Sequence, residues 1–234
     1  MNYQMLGSDT FPIVQITLGA GESVQLERGA MIYHDGRVNL EGKMNSNGKT
    51  GLGGMLNAMG RSMASGEAVF MTTATGMAAG ATLGIAPANP GKIIALTVDE
   101  TNHWRLNTGA FLAADSTATY QMVRQKVGKA LLGGTGGFFV MESVGTGTML
   151  ASAYGDLLSI DLDGRHDYVI DNNHVVAWSS SLDYHIEVAS GAFGLTTGEG
   201  FVNRFTGSGR IYIQTRNVRA LAELVRPFIA TKND

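Results

Sequence analysis

The chain has 234 residues, 44% hydrophobic and 16% charged, with 32 glycines and a formal charge of -3. It is long enough to bury a core and too apolar for disorder, and its acidic balance argues against a general polyanion binder, because nucleic-acid proteins carry a basic excess. With no cysteine, disulfides, thiolate metal sites and a cysteine nucleophile are excluded.

The opening residues Met1-Asn2-Tyr3-Gln4-Met5 lack the basic and apolar regions of a signal peptide. No apolar run approaches the roughly 20 residues of a membrane-spanning helix. A cytoplasmic protein, at most peripheral to a membrane, is expected. Val14, Ile16 and Leu18 then alternate with polar or small neighbours, the period-two signature of a half-buried strand. The next stretch, Val24 to Ile32, centres on Gly29 and reads as strand, tight turn, strand, a hairpin.

This pair of features returns twice. Ile94, Leu96 and Val98 precede Trp104–Leu112, which centres on Gly109; Leu158, Ile160 and Leu162 precede Tyr168–Val176, which centres on Asn173. A second block follows each first one, running from Phe70 to Gly76, Phe139 to Gly145 and Phe201 to Gly207. The spacing predicts about four strands per unit and units of approximately 11–90, 91–155 and 156–216. Since one unit leaves its edges and apolar face exposed, the three are expected to pack together about a pseudo-threefold axis. The fold class is therefore all-β: a single domain of three tandem β-repeats, barrel-like, with short amphipathic insertions and a C-terminal helix.

Leu52, Met55, Leu56 and Met59 fall at helical spacing, as do Val123, Val127 and Leu131, followed by Leu132; the corresponding place in the third unit holds Phe193 and Leu195. At the carboxyl end, over 217–229, Asn217 is a candidate N-cap, and Leu221, Leu224, Val225 and Phe228 form a stripe, which predicts a helical lid over a sheet edge or barrel end.

The segments Phe11-Pro12-Ile13-Val14, Gly21-Glu22-Ser23-Val24, Gly29-Ala30-Met31-Ile32-Tyr33, Gly66-Glu67, Ala86-Pro87, Pro90-Gly91-Lys92-Ile93, His174 to Trp178, Gly198-Glu199-Gly200 and Thr215-Arg216-Asn217 occur in a distinctive order. Together they resemble the altered-inheritance-of-mitochondria protein 24 family, over nearly the whole chain. The resemblance implies a shortened double-stranded β-helix similar to the tryptophan RNA-binding attenuation protein fold. It implies no catalytic residues.

Of the five histidines, His166, His174 and His185 crowd the third unit beside Asp167, Asp171 and Asp183. A metal site needs several such groups converging at about 2 Å from the ion, and the closely spaced histidine pair with a following glutamate that β-helix enzymes use is absent. Ser179-Ser180-Ser181 has no nucleophile elbow around it. Gly133-Gly134-Thr135-Gly136-Gly137 precedes a strand where a phosphate loop would open a helix. Aromatic residues are 8% of the chain, with no basic stripe among them, so nucleic acid is not an expected partner.

The reading is a non-enzymatic binding or scaffold protein, homo-oligomeric, with no cofactor. It would dock an unknown protein partner or a membrane surface through Leu52, Met55, Leu56, Met59, Val127, Leu131, Leu132, Phe193 and Leu195, with Arg61, Lys126 and Lys129 flanking them. The alternative is a small-molecule or metal-binding β-helix enzyme centred on the His/Asp cluster of the third repeat.

Overall fold

A computed structural model describes residues 1–45, 69–107, 109–124, 139–189 and 200–229. Strand β1 (Asn2–Gly7) comes first. Three stretches of six strands follow. The first holds β2 (Pro12–Leu18), β3 (Ser23–Glu27), β4 (Met31–His34), β5 (Val38–Asn45), β6 (Val69–Gly76) and β7 (Ala81–Ile85). The second holds β8 (Ile93–Val98), β9 (Trp104–Leu106), β10 (Phe111–Asp115), β11 (Ala118–Arg124), β12 (Phe139–Gly145) and β13 (Gly147–Ser152). The third holds β14 (Leu157–Asp163), β15 (Tyr168–Asp171), β16 (Val175–Ser179), β17 (Asp183–Val188), β18 (Phe201–Thr206) and β19 (Ser208–Gln214), and helix α1 (Val218–Val225) follows. The protein is all-β with a C-terminal helix. Each stretch has six strands where the spacing predicted about four, because β5, β11 and β17 carry no glycine-marked pattern and the second block splits at its glycines into two strands.

Pairing is antiparallel and follows one scheme in all three stretches. The sixth strand lies between the first and the third. The fifth lies between the second and the fourth. Successive stretches are joined edge to edge, β3 to β10 and β9 to β16. These joints make two six-stranded sheets, β5-β6-β3-β10-β13-β8 and β11-β12-β9-β16-β19-β14, and leave β1-β2-β7-β4 and β15-β18-β17 at the ends.

The stretch around Gly29 is a corner, which corrects the hairpin expectation. Gly29 has φ 82° and Ala30 N–H donates to the Glu27 carbonyl at 3.2 Å, so a tight turn does form. Its flanking strands do not pair with each other, however: β3 bonds to β6 and β10, while β4 bonds to β7. Alternation specifies which face of a strand is apolar and says nothing of its neighbour. A bulge follows each corner at the same place, between Met31 and Tyr33, Phe111 and Ala113, and Val175 and Ala177. Just past each bulge a short polar side chain accepts an N–H of the sixth strand or its approach: Asp35 from Thr82 at 3.0 Å, Asp115 from Thr148 at 2.7 Å and Ser179 from Arg210 at 3.0 Å.

Val14, Ile16, Leu18, Leu96, Val98 and Leu162 are buried as the alternation predicts, and Ile94 and Ile160 are half-buried. Leu158 is 53% exposed, on β14 at the outer end of its sheet. The core has three parts, around Ile16 and Leu83, around Leu106, Phe111 and Met149, and around Trp178 and Phe205.

The helix is capped as expected, with Asn217 Oδ1 accepting the Ala220 N–H at 2.7 Å. Among the described residues it does not act as a lid. None of its residues is buried, and Leu224 and Phe228 are 68% and 85% exposed.

Candidate functional site

Two kinds of strand edge make the joints between stretches: the second strand of one stretch and the third strand of the next. Four of the six such edges are used, β3, β10, β9 and β16. Among the described residues the remaining two are unpaired: β4, which ends its sheet beside β7, and β15, which ends its sheet beside β18. Both present a row of backbone donors and acceptors, the template onto which another strand adds.

The side chains report the missing neighbours. Met31, Ile32 and Tyr33 on β4 are 38%, 50% and 39% exposed, while Phe111, Leu112 and Ala113 at the same positions of β10 are at most 2% exposed, and Val175, Val176 and Ala177 of β16 at most 3%. On β15, Tyr168 and Val169 are more than two-fifths exposed and Ile170 is half-buried, whereas Leu26 and Leu106, which hold the place of Ile170, are fully buried. Local sequence does not distinguish the sites. Met-Ile-Tyr is as apolar as Phe-Leu-Ala or Val-Val-Ala, and only the presence or absence of a paired strand decides its burial. Tyr33 lies across from Gly84 on β7, and its ring fills the space a side chain there would need.

The completed joints show what such an edge holds when paired. Asn107, just after β9, donates its amide N–H groups to the carbonyls of Asn172 and Val175 at 2.9 and 2.8 Å, and its backbone N–H donates to the Val176 carbonyl at 3.0 Å. Arg105 pairs with Glu142 at 2.6 Å, donates to the Leu182 carbonyl at 3.2 Å and lies over the Tyr184 ring. At the other joint Glu27 holds the place of Asn107, and burial pushes its carboxyl up to about 7.

The docking residues expected from the sequence, Leu52, Met55, Leu56, Met59, Val127, Leu131, Leu132, Phe193 and Leu195, lie outside the described residues, as does the glycine run 133–137. The His/Asp cluster of the third stretch is dispersed. Asp171 accepts the Asn173 N–H at 2.8 Å. His174 binds the Gln214 carbonyl through Nδ1 at 2.7 Å and the Asn217 amide through Nε2 at 2.8 Å. His185 faces Glu187 at 3.3 Å, and Arg204, which contacts both Glu187 and Asp167, holds the Glu187 carboxyl below its usual range. Among the described residues, no three His, Asp or Glu side chains are grouped to hold a metal ion. Ser179 and Ser181 are engaged in turns, the first accepting from Arg210 and the second donating to the Ser208 carbonyl.

A crystal structure of protein SPYM3_0169 from Streptococcus pyogenes matches this architecture with a TM-score of 0.79 and 42% identity, over 97% of this chain and 99% of that one. Protein M6_Spy0233 from Streptococcus pyogenes serotype M6 is 46% identical over 235 residues, 100% of this chain and 93% of that protein. Residues 3–216 match the family described as Mitochondrial biogenesis AIM24. The chain belongs to that family. The AIM24 match stops at the residue before Asn217, so the joints and both open edges lie inside the family region and α1 lies beyond it. No helix among the described residues is long and apolar enough to cross a membrane.

Proposed function

We propose that this AIM24 chain is a non-enzymatic binding and scaffold protein, one domain of three internal repeats, that works by adding strands to its open sheet ends. The observation that carries this reading is β4, whose four residues are all exposed at positions that are buried in both of its counterparts. Strand addition supplies main-chain hydrogen bonds for affinity and side-chain contacts for specificity. Amide hydrogen exchange tests the reading. The β4 and β15 amides that lack a partner among the described residues should exchange freely in dilute protein and become protected when the binding partner is present. If they stay unprotected at millimolar protein and in concentrated cell extract, the open ends bind nothing and the reading falls.

A membrane-surface role rests on a separate observation, the exposed apolar stripe of α1 with Arg216, Arg219 and Arg226 alongside it, a pairing of charges and apolar face suited to anionic lipid. Sedimentation with phosphatidylserine vesicles tests it: the parent should co-sediment and Leu224→Asp should not, and a parent left in the supernatant refutes it.

A further inference from the structure

We propose that His174 is a proton-operated latch on α1: its neutral ring holds Asn217 in the orientation that caps the helix, and protonation of the ring releases the cap. This goes beyond both docking readings, since it concerns what keeps α1 folded. A chain of hydrogen bonds with a fixed direction carries it. Ala220 N–H donates to Asn217 Oδ1 at 2.7 Å, the Asn217 amide nitrogen donates to His174 Nε2 at 2.8 Å, and His174 Nδ1 donates to the Gln214 carbonyl at 2.7 Å. The two ends are backbone groups, one able only to donate and the other only to accept, so every role between them is decided. Asn217 Oδ1 must face Ala220, which turns its NH2 group to the ring. Nε2 is then the bare nitrogen and Nδ1 carries the proton. Gln214 is itself held, its side chain accepting the Tyr154 N–H at 2.8 Å and donating to the Asn173 carbonyl at 2.8 Å. The chain of bonds thus ties the first turn of α1 to the body of the third stretch.

The corner itself does not need a histidine. Ala30 and Ala110 stand just before β4 and β10 where His174 stands just before β16, both are buried, and their carbonyls accept the N–H groups of Ala86 and Ser152 at 2.9 and 2.7 Å. Among the described residues, only the third stretch leads into an α-helix, and it is the third stretch that carries the histidine. Histidine changes its charge between about pH 5 and 8, and His174 is half-buried, so solvent protons reach it. A proton on Nε2 sets two donors against each other at the Asn217 contact. Turning the amide over satisfies the ring but presents NH2 to the Ala220 N–H, so one bond breaks in either arrangement. The charged ring makes the stronger bond, and the cap is the one lost. Uncapped, a helix of 8 residues with none buried is marginal. No opposing charge bonds to the ring among the described residues. Asp171, on the same turn, accepts from Asn173; β18 and β9 face the turn with the neutral amides of Asn203 and Asn107; Arg216 donates to the Thr215 carbonyl; and Arg219 pairs with Glu223 along α1. The cap is therefore held above the histidine range and released as pH falls through it.

Amide exchange and helical carbon shifts over 218–225, followed from about pH 7.5 to about pH 5.5 with the intrinsic exchange rates divided out, test the latch. In the parent, protection of the Ala220 amide should fall roughly fivefold across that range, the size of one lost cap, while the β-sheet amides keep theirs. His174→Ala gives the third stretch the residue that its two counterparts carry, so it should fold. Its α1 protection should not change with pH, because Asn217 is then free to cap throughout. Asn217→Asp should reverse the sign: a carboxylate caps as well as an amide does and also accepts from the protonated ring, so α1 should become firmer as pH falls. Glu223→Gln removes a titrating group of α1 itself and should leave the response of the parent unchanged. A parent whose α1 is indifferent to pH overturns the proposal. So does an acid loss that persists in His174→Ala or in Asn217→Asp, or one that Glu223→Gln abolishes. Loss of β-sheet protection in step with α1 overturns it as well, because the transition is then that of the whole body and not of the cap.

Discussion

Glu27 occupies a place in the first joint for which a carboxylate is poorly suited. At the equivalent place Asn107 donates two hydrogen bonds to backbone carbonyls, and an ionised carboxylate can only accept. Burial raises the Glu27 carboxyl from 4.5 to about 7. The folded state therefore binds its proton more tightly than the unfolded chain does. The contribution to stability is fully present below the unfolded pKa of 4.5, and it is lost as pH rises through about 7. A shift of that size corresponds to about 3 kcal/mol in a fully buried site, and partial exposure of the side chain reduces this to about 1 kcal/mol. Glu27→Gln keeps the shape, supplies a donor and removes the titration. The variant should match the parent near pH 4.5 and exceed it by about 1 kcal/mol at pH 8, a rise of roughly 2–4 °C in Tm for a domain of this size. Urea unfolding of both proteins at half-unit steps from pH 4.5 to 8 measures it. If the difference between them is flat across that range, or if the variant is the weaker at pH 8, then Glu27 is not desolvated as described and its correspondence with Asn107 has no energetic meaning.

The helix depends on its cap, since none of its residues is buried. Asn217→Ala removes both the cap and the His174 contact and should cost the helix about 1–2 kcal/mol, enough to melt it; loss of amide protection over 218–225 with the β-sheet protection unchanged checks this. At the start of the second stretch, Gly91 forms a parallel bridge with Gly155, and a Cβ at Gly91 would run into the Ala153 carbonyl and the Gly155 backbone. Gly91→Ala should cost about 3 kcal/mol through displaced backbone and lower Tm by roughly 6–12 °C, read by calorimetry. Trp178 is fully buried, edge-on to Tyr184 and Phe205, and its Nε1 has no hydrogen-bond partner among the described residues. Trp178→Phe removes that orphaned donor along with some volume and should cost less than about 1.5 kcal/mol, whereas Trp178→Ala should cost about 3–5 kcal/mol. Equal losses in the two variants, by chemical denaturation, would show that the unpaired N–H carries no penalty.

Much of the fold was legible in the sequence because a strand with one buried face writes that face into its own alternation. Val14, Ile16 and Leu18 lie on β2, the corner at Gly29 is a tight turn, and Asn217 caps the final helix, each decided by residues close together in the chain. The candidate site was much less legible. The docking surface expected from the sequence, from Leu52 to Leu195, falls in segments outside the described residues. The β4 and β15 ends have no composition to mark them, since Met31-Ile32-Tyr33 is as apolar as the buried Phe111-Leu112-Ala113.

The sequence by itself determined that this is an all-β chain with a C-terminal helix, where most of its turns fall, and which face of most strands is apolar. Only the tertiary structure decided which strands lie side by side. Residues Trp104–Leu106 of β9 find their neighbours at Met141–Glu142 and at Ala177–Ser179, and nothing near residue 105 specifies either. Period-two patterning fixes a face, whereas a partner depends on where the rest of the chain has gone. For the same reason the exposure of Leu158, the burial of Glu27 and the two unused edges at β4 and β15 are properties of the assembled sheets rather than of any local run of residues.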